Sequence, residues 1–190
     1  MIHNLLVLIP LSDMASKSAA YWIKKLKLEK HFLEWGYFKE TLRDENMVTT
    51  KEGKQRSAST LIYFLHLPSG PLGKYLSMLD FLFLSILLFS AADSVFCKLP
   101  GAEITHFYQG QPIKIYTIDD NKKMEMITLG PDDDLQHIAK PGLWFSRVFD
   151  LPPQKDADLA KVPYCLVGVT VAPGFEMDDL QTAKYSELIE

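Results

Sequence analysis

Only two cysteines, Cys97 and Cys165, occur in 190 residues. Two thiols can build neither a disulfide framework nor a four-thiolate zinc site. They read as buried thiols of a reducing compartment, and the cytoplasm is the expected location. A surplus of positive charge is missing as well. Twenty Lys and Arg against 24 Asp and Glu give a formal net charge of −4. No Lys/Arg block offsets that balance, so the electrostatic footprint of a nucleic-acid binder is absent. Internal repeats and low-complexity tracts are absent too. What is present is a globular composition, 47% hydrophobic and 23% charged, in a chain long enough for one self-sufficient core and too short for two.

Long apolar runs are few, and two need judging. Leu5-Leu6-Val7-Leu8-Ile9-Pro10-Leu11 has the length of a signal peptide, but no Lys or Arg precedes it and Pro10 interrupts it. Met14-Ala15-Ser16-Lys17-Ser18 reads as a soluble start, which makes residues 1–13 an upstream extension. Residues 1–20 are expected to lie outside the domain.

The second run, Tyr75 to Ala92, is apolar on every side of a helical wheel, as in a buried helix or a membrane span. It is marginal for a span of about 20 residues and contains Asp80, so a membrane partner is not expected. A third reading comes from the genetic code. Gly73-Lys74-Tyr75 can be written GGT-AAG-TAT, a splice-donor consensus. Phe89-Ser90-Ala91 can end a pyrimidine-rich tract as TTT-TCA-G. On this reading residues 74–91 are a translated intron.

Elsewhere the pattern is that of a β protein with one early helix. Tyr21 to Leu28 places Trp22 and Leu26 at helical spacing with Lys24, Lys25 and Lys27 outward. Strands are expected over 36–42, 56–65, 103–108, 112–118, 123–129, 135–139, 143–149 and 164–171, with a polar loop over 43–55. Gln109-Gly110, Asp119-Asp120-Asn121, Gly130-Pro131-Asp132 and Pro141-Gly142 punctuate them. Short strands without crossover helices argue for an all-β antiparallel sandwich or barrel.

Glu103-Ile104-Thr105-His106-Phe107-Tyr108-Gln109-Gly110 has the glutamate-to-glycine spacing that ends the first cupin motif. Before it stand Trp35-Gly36-Tyr37-Phe38, Arg56-Ser57-Ala58-Ser59-Thr60 and Ser94-Val95-Phe96-Cys97. After it come Pro141-Gly142-Leu143-Trp144-Phe145 and Ala172-Pro173-Gly174-Phe175. In this order the series resembles the small RmlC-like cupins of unknown function (the domain of unknown function 985 type), from about Ile23 to Leu180. The resemblance implies a single antiparallel β jelly roll over residues 21–180, a pocket for a small-molecule ligand in the barrel mouth, and a homodimer. An insertion is expected at about 74–93, where the family runs almost directly from a Pro-rich loop into the Ser-x-aromatic segment. Residues 181–190 are expected to be a C-terminal tail.

Departures from the family bear on mechanism. A metal-binding cupin uses two histidines and the glutamate of the first motif and one histidine of the second. Here Phe96, Cys97 and Lys98 stand where imidazoles are due, and Leu143, Trp144 and Phe145 follow Gly142. No metal and no cofactor are therefore expected. Strand alternation also puts Glu103, Thr105 and Phe107 on one face and Ile104, His106 and Tyr108 on the other.

The epimerases of this architecture pair an imidazole with a carboxylate as base and return the proton from a tyrosine. Glu103 is the candidate base, and Tyr63 or Tyr37 the candidate acid. Arg56, beside Ser57, Ser59 and Thr60, is the candidate anion grip; its bland alternative is a surface salt bridge. Cys97, His106 and Trp144 complete the candidate ligand-binding set. For Tyr37, Tyr63, Trp144 and Phe175 the bland alternative is core packing. For His106 it is a sheet-packing histidine with one hydrogen bond, and for Cys97 an inert buried thiol. Two functions follow: a metal-independent cupin that binds a small polar or sugar-like molecule and isomerises it, or a non-catalytic or aberrant form whose barrel mouth is obstructed.

Overall fold

The computed structural model describes residues 17–31, 36–68, 95–149 and 158–189. The extension 1–13 and the apolar stretch 74–91, with the intron reading attached to it, lie outside these residues. The first element is helix α1 (Ala19–Leu26). Ser18 caps it by accepting a hydrogen bond from the Tyr21 amide at 3.2 Å, and Lys27, in the left-handed region at φ 54°, ends it.

The strands are β1 (Glu29–Lys30), β2 (Gly36–Arg43), β3 (Met47–Thr49), β4 (Gln55–Ser57), β5 (Thr60–His66), β6 (Val95–Lys98), β7 (Ala102–Gly110), β8 (Ile113–Ile118), β9 (Met124–Leu129), β10 (Gln136–Ala139), β11 (Trp144–Val148), β12 (Cys165–Ala172) and β13 (Gln181–Lys184). A short helix α2 (Tyr185–Ile189) follows. One sheet has the order β1-β2-β5-β12-β7-β10 and the other β13-β6-β11-β8-β9, while β3 and β4 form a two-stranded ribbon. Every pairing between these strands is antiparallel.

The two large sheets face each other as a jelly roll, because each strand has one apolar side to bury. Phe64, Cys165, Val167, Val169 and Val171 from the first sheet meet Ile113, Ile115 and Leu129 from the second in one core cluster. The outer face of the first sheet is covered by α1, where Trp22, Ile23 and Leu26 pack on Leu65, Tyr164 and Leu166. Leu65 is fully buried, a position that contributes about 1.5–3 kcal/mol. The outer face of the second sheet carries Phe96, Tyr116 and Ile118 under Tyr185 and Leu188 of α2.

Three expectations are corrected. The supposed loop 43–55 contains β3 and the start of β4, a ribbon of two three-residue strands too short and too exposed to show an apolar alternation. The supposed single strand 56–65 is broken at Ala58-Ser59, because the chain leaves the ribbon there to enter the main sheet. Residues 181–190, read as a tail, add β13 beside β6, with Gln181 opposite Lys98 and Lys184 opposite Val95. Gly110 has the turning role expected of it: its φ is +116°, and a Cβ there would strike the Tyr164 carbonyl.

Candidate functional site

Alternation along β7 sends Glu103, Thr105 and Phe107 into the space between the sheets. Glu103 and Thr105 are buried, and Phe107 packs on the central cluster. From β5 come Phe64 and His66, and from β12 comes Cys165, all buried. The second sheet contributes Cys97 from β6 and Phe145 from β11, which are direct register partners and so share a face. Two residues beyond Phe145, Arg147 points the same way.

Arg147 spans the interior. Its Nη2 donates to Glu103 Oε1 in a buried ion pair, and the same nitrogen donates to Thr105 Oγ1 at 2.8 Å. Its guanidinium carbon stands 5.1 Å from the centre of the Phe145 ring. The His66 ring lies 4.3 Å from that of Phe64, and the His31 ring lies 5.2 Å from that of Phe64. Two buried polar atoms have no hydrogen-bond partner among the described residues: Arg147 Nε and His66 Nε2.

The electrostatics follow from burial. Desolvation lowers Arg147 to about 10, so it stays charged at neutral pH. It pushes His66 well below the usual imidazole value, with the charge of Arg147 acting in the same direction, so this imidazole is neutral. Burial raises Cys97 to about 11 and Cys165 to about 12 against the opposing pull of Arg147, so both remain thiols.

Of the residues singled out from the sequence, the interior brings together Glu103 and Cys97. The others lie elsewhere. Tyr63 is on the opposite face of β5, packed with the α1 cluster, its ring 6.0 Å from Tyr108. The pairing of Glu103 as base with Tyr63 as acid is thereby corrected: the sheet separates them. Tyr37 belongs to the same outer cluster. His106 lies on the outer face of β7, its Nδ1 3.1 Å from Gln136 Nε2, in an open groove with Tyr108, Asp133 and Asp134. Trp144 is on the outer face of β11 among Phe96, Tyr116 and Ile118, with Lys98 Nζ 4.5 Å over its ring. Arg56 binds Asp179 through Nε at 2.7 Å and Nη2 at 2.9 Å. The Ser59 carbonyl accepts from the Asp44 amide and the Ser57 hydroxyl, both at 3.0 Å.

The arginine beside Glu103 is thus Arg147, not Arg56. Sequence reasoning missed it together with His66. The available signal was strand parity: Arg147 shares a face with Phe145, and His66 shares one with Phe64.

A metal ion does not fit this donor set. Glu103 is engaged by a guanidinium whose positive charge occupies the place a cation would take. Among the described residues no group of three or more His, Cys, Asp or Glu stands close enough to hold an ion.

Two facing antiparallel sheets around a polar interior cluster define a cupin-type jelly roll. The family model described as "Cupin superfamily (DUF985)" matches residues 20–79 and 83–183, and the chain belongs to that family. The interruption at 80–82 falls inside the apolar stretch and is narrower than the 74–93 gap expected from the sequence. Among solved structures, a hypothetical protein from Leishmania major is similar at 24% identity, with 86% of each chain covered and a TM-score of 0.63. A protein from Shewanella oneidensis is similar at 22% identity, covering 91% of this chain and 93% of its own, with a TM-score of 0.60. Both likenesses concern the fold. No curated protein matches the chain significantly. Among the described residues, no helix is long and apolar enough to cross a membrane.

Proposed function

We propose that the barrel interior binds a small polar, sugar-like molecule between Arg147 and His66, anchored by the Glu103–Arg147–Thr105 network. The observation that carries this reading is the pair of buried polar atoms, Arg147 Nε and His66 Nε2, left without partners beside a buried ion pair. A buried donor without an acceptor costs about 1–3 kcal/mol, which a ligand or ordered water would recover. The pair is not sealed: the side chains of Arg147 and Glu103 keep 15% and 9% of their accessible surface.

Glu103 serves here as an anchor. To act as the base of an isomerase, an ion-paired carboxylate has to leave its guanidinium before it takes a proton, so turnover requires a substrate that separates the two. The reading includes a homodimer, supported by exposed Tyr108, Leu135 and Ile138 along the β7–β10 edge, and a reducing compartment suited to two free buried thiols.

A thermal-shift panel of neutral sugars, nucleotide-sugars, organic acids and divalent cations tests it. At least one organic ligand is expected to raise the melting temperature of the native chain by about 2 °C or more. That rise should vanish in the double variant Glu103→Leu/Arg147→Met. An equal rise in both proteins, or none in either, overturns the proposal.

A further inference from the structure

We infer that the interior selects its ligand by charge: it takes a neutral hydrogen-bonding molecule directly, and a small carboxylate only together with one proton. This rests on the binding-site reading above and names the class of molecule that the site accepts.

The charges facing the interior can be followed element by element. From β7 comes Glu103 and from β11 comes Arg147, one negative and one positive, joined to each other. From β5 comes His66, buried and neutral, and His31 stands beside Phe64. Cys97 on β6 and Cys165 on β12 are protonated thiols. His137 on β10 is the register partner of Thr105 and sits at the sheet edge, where burial lowers its pKa. From β8 the core receives Ile113 and Ile115, and from β2 it receives Phe38. Glu125 of β9 is exposed and paired with Lys123. The described interior therefore buries one carboxylate and one guanidinium, joined to each other, while Glu40 on β2 is exposed and paired with Arg43.

The unfilled positions are also specific. Arg147 still offers its Nε–H, and His66 offers Nε2, which donates or accepts according to tautomer. A neutral molecule with a carbonyl or hydroxyl oxygen for the guanidinium and a second polar group for the imidazole satisfies both without altering the balance. A carboxylate on the same Nε–H stands beside Glu103, which already holds Nη2 of that guanidinium. Two negative charges then share one positive charge away from bulk water, where like charges repel strongly. One proton from solvent, taken by the Glu103 carboxylate to give the neutral acid, restores the balance. Each carboxylate bound thus carries one proton in with it.

Acetamide and acetate, close in shape and different in charge, probe this on the full chain by NMR titration of backbone amides. Between about pH 5.5 and 7.5, where acetate stays ionised, acetate affinity for the native protein should rise about tenfold per unit fall in pH. Acetamide affinity should stay flat. In Glu103→Gln, acetate should bind at least about tenfold more tightly than in the native chain at neutral pH and lose its pH dependence. Circular dichroism checks that the variant is folded; if it is not, the native pH series decides alone. Acetate binding to the native chain with no pH dependence, or a folded Glu103→Gln with no gain for acetate, overturns the charge rule. Silence of both probes on the native chain and the folded variant overturns the binding site itself, and the rule with it.

Discussion

Arg56 and Asp179 meet in a two-pronged ion pair, Nε to Oδ2 at 2.7 Å and Nη2 to Oδ1 at 2.9 Å. The contact ties the β3–β4 ribbon to the chain that leaves β12. Around it, the Gly174 amide donates to the Ser57 carbonyl at 2.7 Å and the Phe175 amide to Thr60 Oγ1 at 3.0 Å. The runs Arg56–Thr60 and Ala172–Phe175, both among those that carry the family resemblance, thus dock on each other. Their residue types serve a clasp. A Cβ at Gly174 would stand 3.0–3.1 Å from Ser57 and Thr60, so a side chain there would require those neighbours to shift.

The clasp gives a pH prediction. Hydrogen bonding to Arg56, and then to Lys54, holds the Asp179 carboxyl down at about 2, against an ordinary 3.8. A carboxylate with a depressed folded value stabilises fully above its unfolded value, and that stabilisation is lost as the pH falls through the folded one. Asp179→Asn should therefore lower the melting temperature by about 3 °C at neutral pH. The gap should close between about pH 4 and 2. Melting curves of both proteins across that range check it, and a gap that persists unchanged at the acid end contradicts the assignment.

A second prediction concerns the interior pair. Removing one partner strands a buried charge, whereas removing both leaves an apolar core. Glu103→Gln and Arg147→Met should each cost about 3–5 kcal/mol in urea unfolding, and Glu103→Leu/Arg147→Met should fall within about 2 kcal/mol of the native chain. Additive losses in the double variant would mean that the two side chains act independently.

Legibility of the sequence ended where side chains from different strands had to be matched. The jelly roll could be read because alternation and turn residues are local signals: Glu103, Thr105 and Phe107 face inward, and Gly110 turns the chain. Local parity also separates Trp144 from Phe145. It does not say that Glu103 meets Arg147, which lies on a strand of the other sheet, 44 residues away. It does not say that Arg56 is taken by Asp179 across 123 residues. Both arginines sit in β-rich runs, and only the order of strands in the two sheets decides which one points inside. Strand β13 was missed for a related reason: Gln181–Lys184 carries almost no apolar pattern and is held by its backbone pairing with β6.

Reading residues 74–91 as a translated intron predicts messages in which the flanking codons are joined without them. Sequencing transcripts across the region should find such messages. A message that carries the segment in every read removes the reading.

The thiols give the last prediction. Cysteine reacts as the thiolate, so reactivity follows exposure and pKa. Cys97 is 6% exposed and Cys165 is fully buried. Burial has pushed them up to about 11 and about 12 even with Arg147 close enough to pull them down. At about pH 8 a free cysteine would be substantially ionised, whereas these two stay protonated behind packed strands. An aromatic disulfide reagent should leave both untouched in the native chain and titrate two thiols once urea has unfolded it. Prompt release of one equivalent from the native protein would show that Cys97 or Cys165 opens to solvent and would overturn the reading of both as inert buried thiols.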